Sequence, residues 1–171
     1  MKRLLMIFFE DSTVAHLTKE MCSYPYYLGK NHEWICTYVY FGQERIQNNA
    51  FEEYCALEYL GNAVDYAEKK QLAATYLTAH AQDCDILMFS NYGGASYSLA
   101  RMAKRLNPAI RVYSKLDMNE DGFSHFYDGT LLRKLKVIPE YWKSAAIDLF
   151  TVENRSFYNV LKNMRLFRGR I

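Results

Sequence analysis

The stretch Val112-Tyr113-Ser114-Lys115-Leu116-Asp117-Met118-Asn119 places three polar side chains, Lys115, Asp117 and Asn119, at alternate positions. A strand over residues 110–116 would deliver them alternately at its carboxyl end. A lysine at the end of a buried strand needs an opposite charge, and Asp117, or Glu153 on a neighbouring strand, can supply it. The group reads either as a structural ion pair at the rim of a sheet or as a polar constellation that binds substrate hydroxyls.

A second candidate is Gly94-Ala95-Ser96-Tyr97-Ser98, at a strand-to-helix turn. It resembles the G-x-S-x-G nucleophile elbow of hydrolases without the second glycine, and Ser96, Asp117 and His125 follow the chain order of a hydrolase triad. The simpler reading is helix capping. Gly93 and Gly94 then let a helix N-terminus face the crevice, where its free amides can hold an anion or a sugar hydroxyl. Of the four histidines, His32 and His80 read as surface residues. His16 and His125 fall in crevice loops, where a neutral imidazole can accept a hydroxyl proton or bond a sugar, or simply meet solvent. Their spacing fits no metal motif, and no metal site is expected. The cysteines, Cys22, Cys36, Cys55 and Cys84, are 14, 19 and 29 positions apart, without the close pairs of zinc or redox motifs, and fit free thiols in a reducing cytoplasm.

These residues depend on a scaffold of alternating strands and helices. The apolar run 4–9 reads as a strand buried on both faces. A first helix is expected over 17–28, kinked or ended early by Pro25, and a second strand over 34–41. A short third strand is expected at 56–60, a helix over 63–81, a strand at 85–89 and a helix from Gly93 to about Leu106, stopped by Asn107-Pro108. Strands at 110–116 and 147–152 follow, with a helix between 124 and 137 and an amphipathic one over 154–164. The alternation predicts a single α/β domain, a doubly wound, mostly parallel, Rossmann-like sheet of about six strands. Ligands of such sheets bind beyond the strands' carboxyl ends, so loops 10–16, 90–94, 117–124 and 153–155 should converge on one crevice. The first of these has no glycine, which argues against an NAD or FAD fingerprint, and no P-loop occurs; no cofactor is expected.

Composition sets the outer limits. The chain has 171 residues, 50% hydrophobic and 23% charged, enough for one core and too few for two full domains. Its net charge of +2 gives no reason to expect nucleic acid. Fifteen tyrosines and ten phenylalanines hint at a groove. No stretch reaches the ~20 apolar residues that span a bilayer, so membrane contact would be peripheral. Basic residues at 133, 134, 136, 155, 162, 165, 168 and 170 read as solvated faces or as surfaces for anionic lipid.

Several segments together resemble the amino-terminal domain of bacterial glycosyltransferases with the GT-B fold, in the large retaining group called family 4. They are His16-Leu17-Thr18-Lys19-Glu20, Pro25-Tyr26-Tyr27-Leu28-Gly29-Lys30, Asp85-Ile86-Leu87, Val112-Tyr113-Ser114-Lys115-Leu116-Asp117-Met118 and Ile147-Asp148-Leu149-Phe150-Thr151-Val152-Glu153, spread over residues 3–164. The resemblance implies an acceptor-side domain cut from a two-domain enzyme of polysaccharide biosynthesis, cytoplasmic and at most peripheral at the inner face of the membrane. The whole enzyme would move a sugar from a nucleotide-sugar, held mainly by a second domain, to a glycan or lipid-linked acceptor, and the isolated domain would turn over nothing. It also implies that Asp11, His16, Asn91, Lys115, Asp117 and His125 line the acceptor crevice, with Glu153 at its rim; no catalytic residue is assigned. The glycine-rich turn of many members is missing after the first strand. A self-contained Rossmann-like binding or regulatory module is the alternative, and a hydrolase the third reading.

Overall fold

Six strands form one all-parallel sheet in a computed structural model that describes residues 1–90, 94–116 and 142–152. They are β1 (Arg3–Asp11), β2 (Ile35–Phe41), β3 (Ala56–Tyr59), β4 (Ile86–Phe89), β5 (Arg111–Leu116) and β6 (Leu149–Val152). Their order across the sheet is β3-β2-β1-β4-β5-β6. The chain therefore winds outward from β1 to one edge, returns to the centre at β4, and winds to the other edge. That reversal between β1 and β4 is the switch point of a doubly wound α/β fold.

The helices are α1 (Val14–Leu17), α2 (Glu20–His32), α3 (Asn49–Glu52), α4 (Tyr66–His80) and α5 (Gly94–Leu106). The apolar run of β1 is buried because both of its faces are covered. Leu5, Ile7 and Phe9 join one core with Ala73 and Leu77 of α4 and Leu99, Ala100 and Ala103 of α5. Leu4, Met6 and Phe8 join a second core with Leu17, Cys22 and Phe51 from α1, α2 and α3. Alternation along the strand thus assigns each residue to one helical layer or the other.

Polar stitches fix the amino-terminal edge of the sheet. Asp85 Oδ2 accepts from Arg3 N at 2.7 Å. Asn107, just after α5, donates from Nδ2 to Ala81 O at 3.1 Å and Cys84 O at 2.9 Å, and its Oδ1 accepts from Ala109 N at 3.0 Å. Asp148 Oδ2 accepts from Val112 N at 2.8 Å and Lys104 Nζ at 2.6 Å.

The strands fall where the hydrophobic pattern places them, and the first helix does not. Residues 17–28 are divided between two helices, broken at Thr18 and Lys19, where Thr18 Oγ1 turns back to Ala15 O at 3.0 Å. Pro25 neither ends α2 nor stops it early; the helix runs on to His32 with Pro25 inside. Packing outweighs the missing backbone donor: Pro25 is buried, and the Tyr26 ring stacks on Phe51 at 5.3 Å. Glu33 then closes the helix in the left-handed region, φ 54°, its N–H on Leu28 O. The helices expected at 124–137 and 154–164, and the basic faces they carry, lie outside the described residues. Among the described residues no helix is long and apolar enough to cross a membrane.

Candidate functional site

A cleft of about 550 Å³ opens beyond the carboxyl ends of β1 and β2, beside the switch point. Asp11, Ser12 and Thr13 form one wall, and the loop after β2, with Gln43, Arg45 and Gln47, forms the other. The walls are held by tyrosines that rise from the sheet and whose hydroxyls bond the two loops. Tyr38 and Tyr40 alternate on β2, fully buried, with rings stacked at 5.8 Å and 16°. Tyr40 Oη accepts from Ile46 N at 2.7 Å, and Tyr59 Oη donates to Gly42 O at 2.9 Å, so both fix the β2 loop. Ser12 Oγ and Tyr38 Oη are 2.9 Å apart and fix the β1 loop. Gly42 lets the walls approach, since a Cβ there would lie 2.7 Å from Ser12 O. Burial raises the pKa of Tyr38, and the Cys22 thiol beside it raises it further against the opposing bond to Ser12. Burial likewise raises Tyr40 above the usual phenol range. Both phenols therefore stay protonated.

Asp11 is aimed by a lysine from the opposite helical layer. The β1–β2 register shifts between Phe8 and Asp11, a bulge of the kind that re-aims side chains. At that irregularity the buried Lys69 of α4 donates from Nζ to Phe9 O at 3.1 Å and to Asp11 Oδ1 at 2.6 Å. Its ammonium also sits 5.6 Å from the Phe41 ring centre. Asp11 keeps Oδ2 without a hydrogen bond among the described residues, and the side chain is 58% exposed. The side chains of Gln43, Glu44, Arg45 and Gln47 likewise make no hydrogen bond or ion pair within the described protein and are exposed. Carboxylate, amides and guanidinium facing one cleft can accept and donate to several hydroxyls at once.

His16 lies inside α1 rather than in a crevice loop and has another task. Its Nδ1 accepts from Thr13 N at 3.0 Å, a reciprocal cap of α1, and its ring packs on Phe8 at 5.7 Å. An accepting Nδ1 leaves the proton of a neutral ring on Nε2. Lys115 is buried on β5, two strands from β1, about 10 Å at strand spacing. It pairs in register with Thr151 of β6, and continuing the β4–β5 register by one residue sets Ser90 on its other side. Ser90, fully buried, and Thr151 each have a buried hydroxyl without a hydrogen-bond partner among the described residues, so a polar row Ser90, Lys115, Thr151 crosses the carboxyl edge on one face. Asn91, Asp117, His125 and Glu153 lie outside the described residues. Ser96 is fully buried in α5, whereas a nucleophile elbow needs its hydroxyl exposed at the crevice, so nothing supports the hydrolase reading.

Sequence reasoning missed the β2 loop and Lys69. The signal for Lys69 was its spacing with Ala73 and Leu77, which puts a lysine on the buried stripe of α4. All four cysteines are free and buried. Among the described residues no group of three or more His, Cys, Asp or Glu side chains could hold a metal ion. Neither a scan of protein-family models nor a search of curated proteins finds a match to this chain.

Proposed function

We propose that this chain is the acceptor-binding domain of a two-domain glycosyltransferase, which receives a sugar from a nucleotide-sugar held mainly by a second domain. The observation that carries the reading is the cleft beyond β1 and β2. It is lined by Asp11, which keeps one carboxylate oxygen free beside the Lys69 bond, and by Gln43, Arg45 and Gln47, whose side chains make no hydrogen bond among the described residues, and it sits where doubly wound sheets bind ligands. Such a lining suits a polyhydroxylated acceptor, while the glycine-free loop after β1 offers no cradle for a dinucleotide. In this reading Lys69 orients Asp11, whose free Oδ2 accepts a hydrogen bond from an acceptor hydroxyl, and Arg45 and the glutamines fix the ring beside it.

The test uses the protein encoded by the complete gene, incubated with a panel of radiolabelled nucleotide-sugars and sugar acceptors. Transfer is expected with at least one pair, and Arg45→Ala should raise KM for the acceptor while leaving KM for the donor unchanged. Absence of transfer across the panel, or a rise confined to the donor, overturns the assignment.

A further inference from the structure

Next to the cleft, the same two walls continue into a second hollow of about 300 Å³. Val14 lines the cleft and Thr18 the hollow, along α1 and its end; on the other side Gln47 lines the cleft and Asn48 the hollow. Four helical residues advance about 6 Å, comparable to the span of one sugar ring. The hollow combines two chemistries. Tyr26 and Tyr27 meet edge to face at 5.2 Å and 81°, and Tyr27 is 54% exposed, so its ring is open to a ligand. Asn48 uses Oδ1 to cap α3 through Phe51 N at 3.2 Å, and its Nδ2 makes no bond among the described residues. Neither the Tyr26 nor the Tyr27 hydroxyl has a hydrogen-bond partner there, and Thr18 Oγ1, which donates to Ala15 O, keeps its acceptor side.

We infer that this hollow is a second sugar subsite, so that the acceptor is an oligosaccharide at least two rings long rather than a single sugar; the inference rests on the acceptor reading of the cleft. A sugar ring has an apolar C–H face and polar edges. The face lies on Tyr27, and the edges meet the Asn48 amide and the hydroxyls around it. An acyl chain fits less well, because it would strip water from those polar groups and return no hydrogen bond. Tyr27 is thereby a specificity-determining residue for acceptor length.

The experiment is a ¹H–¹⁵N chemical-shift titration of the 171-residue chain. Probes are the methyl glycosides of glucose, galactose, mannose and N-acetylglucosamine, and the disaccharides built from them. A binding monoglycoside should shift amides 43–47, and its disaccharide should also shift those of Tyr27, Asn48 and Phe51 and bind about fivefold to tenfold more tightly. Tyr27→Ala should bring the disaccharide back to the affinity of the monoglycoside, Tyr27→Phe should keep the gain, and Tyr24→Ala, on an exposed tyrosine outside the hollow, should change nothing. Equal affinity for both sugars, or indifference to Tyr27→Ala, overturns the second subsite and leaves the cleft reading standing. Octyl glucoside shifting Tyr27 where no disaccharide does assigns the hollow to an apolar tail and likewise overturns it. If no sugar shifts 43–47, the acceptor reading falls and this inference with it.

Discussion

Lys69→Met removes an ammonium and keeps most of the stem that packs beneath the cleft. Two consequences can be separated by burial. Phe9 is 2% exposed, so its carbonyl loses a donor that water cannot easily replace, at about 1 to 3 kcal/mol. The Asp11 side chain is 58% exposed and rehydrates, so losing the ion pair adds about 1 kcal/mol or less. The expected total is about 1 to 4 kcal/mol, read from urea unfolding followed by far-UV circular dichroism with an unchanged m-value. A double-mutant cycle with Asp11→Asn should return a coupling of about 1 kcal/mol, because the partners touch at 2.6 Å. A loss below about 0.5 kcal/mol for Lys69→Met, or additive single mutants, would refute the view that this lysine anchors the bulge and aims Asp11.

Tyr38→Phe should destabilise by about 1 to 2 kcal/mol by leaving the buried Ser12 hydroxyl unpaired, measured by the same unfolding assay; a neutral effect would mean that the bond is dispensable. Gly42→Ala forces a methyl within 2.7 Å of Ser12 O and should cost about 1 to 3 kcal/mol, with amide shifts in both cleft walls rather than in α5. Burial pushes the Cys22 and Cys84 thiols from 9.0 up to about 11, so the folded state holds these protons more tightly than the unfolded chain. Stability is then level below pH 9 and falls as pH rises towards 11, by up to about 3 kcal/mol for each thiol. A urea midpoint unchanged over that interval would contradict this.

The scaffold was legible because burial on two faces writes itself as unbroken apolar runs, as in residues 4–9, and helices between such runs leave a parallel sheet as the economical arrangement. The cleft was only half legible. Topology pointed to the carboxyl end of β1, although Asp11 ends the strand and residues 14–16 belong to α1, and the partner wall at 43–47 is a string of ordinary polar residues whose importance comes from Tyr40 and Tyr59 holding it in place. Lys69 reaches Phe9 across 60 positions of chain, a contact that local periodicity cannot encode beyond marking the lysine as out of place on a buried face. His16 shows the converse. Its residue type and loop suggested ligand chemistry, yet a threonine three positions earlier recruits it to finish a short helix. For Pro25, tertiary packing overrode a sound local rule.

The clasp that Asn107 makes between the ends of α4 and α5 and the start of β4 lies at the end of the sheet remote from the cleft. It works together with Asp85 and Asp148 and shares no bond with the loops at the cleft. Foundation and cleft are therefore mechanically separate: substitutions at the exposed Gln43, Arg45 and Gln47 can change the lining of the cleft without reopening the joinery below. An engineer can therefore rewrite those three positions while the architecture stands still.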